Sequence, residues 1–408
     1  GSEMCIRDSP RILHIFSRYG GVGGEEVCFH AITEALGAVA DVTPFVYSTA
    51  ELFQSSHGAL TKMRYMLHNR DVEEKLRECL RRGRYDAWII HNTFPAMSPC
   101  VYELALQQSV PVIHYVHNYR SGCLNGVFYR DGAPCFSCKN GNYLPGVMHA
   151  CWHGNAAYSA LAAAVLSKTR RMGAWTRLSS YIAVSRRQRE LLIQSGIPEE
   201  KIRVIPHFIR QKPVPIPDAP RRDVLYAGRL APEKGVFQLI RAWELLSPPG
   251  RTLYLMGDGP LRGELEHYVS SRRLESIRLT GFIPHEEQGT VRASCGIAVA
   301  PSLWEETFGM VVLESWLHGT PVIVTPCGGL PELITHDRNG WIAREPSADA
   351  LAEMLHTALK EEERWPSMGA HGQELLSSTH SPAAWLQAMG CLLEELHILR
   401  QPSTTSAS

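Results

Sequence analysis

Short runs of β-branched and apolar residues alternate with stretches of helical periodicity along almost the whole chain. In the first half the strand candidates are 11–17, 42–47, 87–91, 111–117, 181–184 and 203–206. In the second half they are 224–228, 252–257, 277–281, 296–300, 321–325 and 340–343. These runs are near-continuously apolar, which means sheets buried on both faces. Strands of that kind alternating with helices build parallel βαβ units. Two such series predict an α/β chain of two doubly wound, Rossmann-like domains, at 10–210 and 221–380. The segment 211–220 carries four prolines and reads as the linker.

Composition narrows the function classes. A chain of 408 residues is long enough for two domains of ordinary size. Its 41 basic and 41 acidic residues balance, so no basic field argues for a nucleic-acid partner. No run of 18 apolar residues predicts a transmembrane helix. The most apolar helical stretch, 156–166, is followed by Lys168, Arg170 and Arg171. It reads as a helix covering the core, with a membrane-surface element as the alternative. The N-terminus shows no signal-peptide pattern, so a cytoplasmic location is expected. Residues 1–9 read as non-native sequence, and 401–408 as a disordered tail.

The most informative segment is 301–334. A helix is predicted over 310–318, stopped by Gly319, and the strand 321–325 and the turn Gly328-Gly329 follow. Glu306 and Glu314 are separated by seven residues. On a continuous helix that spacing is about 12 Å, at ~1.5 Å per residue. Carboxyl pairs that act on one glycosidic bond stand ~5–9.5 Å apart. The two glutamates therefore read as acceptors gripping opposite ends of a long ligand. Between them, backbone N–H groups near Phe308, Gly309 and Met310 would face an anion, aided by the helix dipole.

Other candidates sit at strand ends. Arg229 and Lys234, in Gly228–Gly235, are two cations suited to a diphosphate leaving group. Gly20–Gly24 is a glycine-rich strand-to-helix turn able to bring amides to a phosphate, although Gly-x-Gly-x-x-Gly is absent. Gly257, Gly259 and Ile283 end two further strands, and His117 ends the strand 111–117. Cys123, Cys135, Cys138 and Cys151 cluster in a loop-like stretch, and Cys135-x2-Cys138 has metal-ligand spacing. A structural zinc, free thiols and disulfides are the three readings. No Asp-x-Asp pair occurs, which fits an enzyme that needs no divalent ion on a diphosphate.

Taken together, these motifs resemble the retaining family 4 glycosyltransferases of the GT-B fold, with their Glu-x7-Glu signature. The 117–155 stretch is similar to bacterial exopolysaccharide and capsule-assembly members. The resemblance implies two domains facing across a cleft. The last helical stretch, 382–399, would be the C-terminal helix (381–400) that the resemblance implies packs back on the first domain, and a cysteine-containing insertion is implied at about 118–155. Glu306 would hold the donor sugar and Glu314 the ribose, with Arg229 and Lys234 at the diphosphate. His117 would lie near the reactive carbon. Gly21, Gly23 and Gly24 would cover the donor, and Gly257, Gly259 and Ile283 would flank the base. His14 and His207 have no counterpart in the resemblance. The expected donor is a UDP- or GDP-sugar with no cofactor. The expected acceptor is a glycan or polyprenyl-linked chain, with peripheral contact at the inner membrane face. Rival readings are a nucleotide-sugar epimerase, a glycogen-synthase-like polymerase and a non-catalytic, partner-binding member.

Overall fold

A computed structural model of the protein describes residues 9–19, 24–54, 58–217, 219–284 and 287–399. These form two compact units. The first comprises the chain up to Gly126, then Phe136–Pro206 and the segment from Pro382 onward. The second comprises Val127–Cys135 and His207–Ser381.

The first unit is built on six parallel strands: β1 (Arg11–Arg18), β2 (Asp41–Ser48), β3 (Ala87–Ile90), β4 (Val112–Tyr115), β7 (Ser180–Ala183) and β8 (Ile202–Val204). Their spatial order is β2-β1-β3-β4-β7-β8. Strands β3, β4 and β7 are buried at every residue, as helices on both faces require. Strand β2 lies at the sheet's end, and its Pro44 is tolerated there because an edge strand need not donate every N–H. The core gathers Leu13, Ile15, Trp88, Ile90, Val112 and Tyr181, none more than 3 % exposed. A fully buried side chain of this size stabilises by about 1.5–3 kcal/mol.

Polar residues set the helix starts. Asn155 caps Ala156–Arg171 through the Tyr158 N–H, and Ser185 caps Arg186–Gln194 through Gln188 N–H. Asn69 is fully buried. It accepts from the N–H groups of Asp71 and Val72 and donates to the Ala96 carbonyl at 2.7 Å. The final helix, Pro382–Glu395, belongs to the first unit. It is tied there by Trp385 Nε1 donating to the Tyr115 hydroxyl at 3.4 Å and by an ion pair between Arg203 and Glu395. It ends four residues short of the expected 399, where the last residues form turns.

The second unit repeats the plan with β9 (Asp223–Ala227), β10 (Leu253–Met256), β11 (Ile277–Gly281), β12 (Cys295–Ala300), β13 (Val322–Val324) and β14 (Gly340–Ile342). Their order is β11-β10-β9-β12-β13-β14, again parallel throughout. Its own core includes Trp243, Leu255, Ile323, Trp341 and Leu351. All twelve strands coincide with the apolar runs to within two residues at each end. The fold is the expected pair of Rossmann-like sheets.

A short antiparallel hairpin, β5 (Tyr129–Arg130) and β6 (Ala133–Pro134), was not foreseen. Asp131 and Gly132 turn it with φ +52° and +84°, a two-residue turn with both residues left-handed. The hairpin groups with the second unit, whereas the sequence reading put all of 118–155 in the first domain. Its Tyr129 hydroxyl reaches the Pro232 carbonyl at 3.5 Å. No described helix is long and apolar enough to cross a membrane.

In the second sheet the strand order reverses between β9 and β12, and in the first between β1 and β3. Ligands of such sheets bind beyond the strands' carboxyl ends at these reversals. The fold thus directs attention to the loops after β9 and β12, and to those after β1 and β3.

Candidate active site

After β9 the chain passes Arg229 and enters the short turn Pro232–Lys234. After β12 it runs through Ser302, Trp304 and Glu306 to the helix Met310–Leu317. Because β9 and β12 are neighbours, the two loops lie side by side. Gly235 lets them close: its φ is +69°, and a Cβ there would sit 1.8 Å from the Pro301 carbonyl oxygen. The Leu303 N–H donates to the Glu233 carbonyl at 2.9 Å across the same join.

This contact brings Lys234 to Glu306. Lys234 Nζ donates to Glu306 Oε1 at 2.6 Å and lies 5.0 Å from the centre of the Trp304 ring. The Ser302 hydroxyl donates to the same carboxylate oxygen at 2.6 Å. Glu306 is only 8 % exposed. Burial works to raise its pKa, but the Lys234 charge and the hydrogen bonds from Lys234 and Ser302 prevail and hold it below the usual carboxylate range. From behind, the Gly329 N–H donates to the Glu306 carbonyl at 2.7 Å. A Cβ on Gly328 would stand 2.1 Å from that carbonyl oxygen, so the Gly-Gly turn is what allows the backbones to meet.

The other expected residues of the second unit lie on its strand-end loops and on the helix Met310–Leu317. Arg229 pairs with the buried Glu233 and keeps 60 % of its side chain exposed. The strand-end loops carrying Gly257 and Gly259 are stitched to their neighbours. Gly228 N–H donates to the Met256 carbonyl, Gly257 N–H to the Gly281 carbonyl, and Leu230 N–H to the Asp258 carbonyl, at 2.9–3.0 Å. The Ile283 carbonyl accepts from Gln288 at 2.9 Å. Gly309 leads into the helix that begins at Met310. The Phe308 ring is buried edge-on to His207, at 5.2 Å, which leaves its backbone rather than its ring for a ligand. Glu314, on the same helix, accepts from Arg292 Nη2 at 3.5 Å, and Arg292 is 2 % exposed.

In the first unit, His117 lies two residues beyond β4, half-buried, with Nε2 2.7 Å from His91 Nδ1. Burial lowers its pKa, and Glu25 acts the other way. Gly24 opens the helix Gly24–Leu36, and Gly21 and Gly23 lie outside the described residues. Of the four insertion cysteines, Cys123, Cys138 and Cys151 lie in the first unit and Cys135 in the second. Among the described residues no three His, Cys, Asp or Glu side chains come together to hold a metal ion.

Comparison with known proteins identifies the family. Residues 22–211 match the family described as Glycosyltransferase Family 4, and residues 209–374 match Glycosyl transferases group 1. The chain belongs to these glycosyltransferases. Among relatives, the amylovoran biosynthesis glycosyltransferase AmsK of Erwinia amylovora is 32 % identical over 186 residues, covering 43 % of this chain and 46 % of that protein. A GDP-mannose-dependent phosphatidylinositol dimannoside mannosyltransferase of Mycobacterium tuberculosis is 32 % identical over 174 residues, covering 41 % and 44 %. The chain spans less than half the length of both. The structure of Anabaena HepE with UDP and glucose superposes with a TM-score of 0.67 at 20 % identity, over 95 % of this chain and all of that one.

Several residues around these positions escaped the sequence reading. Ser302 and Trp304 frame Glu306, Glu233 holds Arg229, and Arg292 holds Glu314. Ser302 and Trp304 lie within the segment already singled out and carried the only available signal, a hydroxyl and a ring beside a glutamate. Arg292 has none, since a lone arginine in a short helix predicts nothing.

The Lys234–Glu306 pair makes a testable stability contribution. Lys234→Ala leaves the buried carboxylate to Ser302 alone and should cost about 1–3 kcal/mol in urea unfolding at neutral pH. A second change, Glu306→Gln, should recover part of that loss. The folded-state pKa of Glu306 is depressed, so the pair's contribution is full above the unfolded carboxyl pKa of about 4.3. It fades as pH falls through the folded value. The stability gap between parent and Lys234→Ala should therefore shrink below about pH 4.

Proposed function

We propose that this protein is a retaining, metal-independent glycosyltransferase that moves a sugar from a nucleotide diphosphate to a hydroxyl of a glycan or lipid-linked acceptor. The observation that carries this reading is the Lys234–Glu306–Ser302 cluster at the strand-order reversal of the second sheet. A buried carboxylate held ionised by an ammonium suits recognition of sugar hydroxyls at one end of a donor and phosphate at the other.

In this account the donor diphosphate exchanges partners with the resident ion pairs. Arg229 turns from Glu233, and Lys234 from Glu306, to the phosphate oxygens, where negative charge grows as the sugar bond breaks. The N–H groups at Gly309 and Met310 add the positive end of a helix. Glu306, relieved of Lys234, accepts hydrogen bonds from donor-sugar hydroxyls. Glu314, steadied by Arg292, accepts from the ribose. Gly257, Gly259 and Ile283 flank the base with backbone groups. His117 serves the reacting end of the sugar. The acceptor hydroxyl attacks from the face the diphosphate leaves, and a departing phosphate oxygen takes its proton. Two cations carry the charge that a divalent ion carries elsewhere, so the chemistry needs no metal.

UDP- and GDP-sugars are the favoured donors, supported by the UDP complex of HepE and by the GDP-mannose-dependent relative. Cell-surface polysaccharide assembly is the favoured setting, supported by the relation to an amylovoran biosynthesis enzyme. A lipid-linked acceptor would bring the protein to a membrane face.

Thermal-shift binding against UDP, GDP, ADP and CDP sugars tests this reading. One nucleotide class should raise the melting temperature, because a ligand at 100 times its Kd adds about 2.7 kcal/mol to native stability. Glu306→Ala and Arg229→Ala should each diminish the shift. A folded parent that responds to none of the four classes would refute the donor assignment.

A further inference from the structure

Three histidines meet in the first unit. His14 lies in β1, His91 follows β3 and His117 follows β4. His14 and His91 are fully buried. Their rings form one hydrogen-bonded line. His117 Nε2 is 2.7 Å from His91 Nδ1, and His91 Nε2 is 2.5 Å from His14 Nε2. His14 Nδ1 is 2.9 Å from Thr33 Oγ1, on the helix Gly24–Leu36. The line ends where the Thr33 hydroxyl donates to the Phe29 carbonyl at 2.8 Å.

That end sets the direction of every bond. A carbonyl only accepts, so Thr33 spends its single proton on Phe29. Its oxygen then accepts from His14, which makes Nδ1 the protonated nitrogen of that ring. Burial, with His117 and His30 nearby, pushes the His14 pKa down to about 3, so the ring is neutral and Nε2 holds a lone pair. His91 must donate to that lone pair through its own Nε2. The His91 ring is fully buried, stacked on Tyr115 at 5.0 Å and edge-on to Phe16 and Phe29, and loss of water disfavours an imidazolium there. A neutral His91 accepts at Nδ1, and His117 is the donor, through Nε2. The lone pair of His117 is then on Nδ1.

We infer that Thr33, His14 and His91 are positioning residues that lock His117 in its Nε2–H tautomer, so that it meets a sugar hydroxyl as a hydrogen-bond acceptor through Nδ1. The tautomer follows from the hydrogen-bond line, while the contact with sugar rests on the role proposed for His117. Reversing the bond at Thr33 would reverse all three rings, because each neutral imidazole has one donor and one acceptor. A threonine three bonds away from His117 thus decides which of its nitrogens carries the proton.

Long-range proton–nitrogen NMR on the full chain with 15N-labelled histidine reads the tautomer directly, with His117→Asn assigning the signal. The parent should show His117 protonated at Nε2 alone. Thr33→Val removes the acceptor of the His14 proton and should give a mixture of both His117 tautomers, while Thr33→Ser should match the parent. His14→Phe, which keeps a ring against Phe29, should give the same mixture and serves if Thr33→Val does not fold. With a donor that turns over, Thr33→Val should lower kcat/KM for the donor by about two- to fivefold, in line with the reduced competent fraction. An Nδ1–H His117 in the parent, or an unchanged tautomer in folded Thr33→Val and His14→Phe, would overturn the inference. A shifted tautomer with unchanged turnover would instead remove His117 from the reaction and leave the hydrogen-bond line standing.

Discussion

A carboxylate at 8 % exposure stays ionised only if charge or hydrogen bonds replace its lost water, and for Glu306 the opposite charge is Lys234. The pairing joins residues 72 apart in sequence, so it exists only because β9 and β12 are adjacent and their loops close on one another. That closeness needs Gly235 against Pro301 on one side and Gly328 against Glu306 on the other. The glycines, the reversal of strand order and the ion pair are one constraint viewed at three scales. A side chain at either glycine would open the loops and strand a buried charge.

The same constraint explains why the site can serve a charged ligand. Arg229 and Lys234 each already hold a carboxylate, so their positions are set before any diphosphate arrives. Exchange of one anion for another costs less reorganisation than ordering two long cationic side chains from solvent. Ser302 and the Gly329 N–H would keep Glu306 in place during the proposed exchange. In the first unit a hydrogen-bond line performs the comparable service for His117, fixing the ring through His91, His14 and Thr33.

Much of the fold was legible in the sequence because doubly buried parallel strands are apolar at every position, a pattern few other elements share. All twelve were found, yet the β5–β6 hairpin was not. Its strands have two residues each, too few for periodicity, although Asp131-Gly132 is a recognised hairpin signal. Helix ends were less legible: Pro382–Glu395 stops early although the residues up to Leu399 remain apolar enough to continue. At the site, Glu306, Lys234, Arg229 and Glu314 could be named from local motifs. Ser302 and Glu233 lie four residues from Glu306 and Arg229, but nothing in that spacing says they turn inward, and Arg292 meets Glu314 from 22 residues away. The His14–His91–His117 line was invisible for the same reason, since its members come from three strands.

The central claim is that the Lys234–Glu306 pair marks the seat of the donor's diphosphate. Calorimetric titration of UDP and GDP into the parent and into Lys234→Met tests it most directly. The account predicts binding of one of the two nucleotides by the parent, weakened at least tenfold, about 1.4 kcal/mol, in Lys234→Met. Equal affinity in a folded Lys234→Met would place the diphosphate elsewhere and contradict the account.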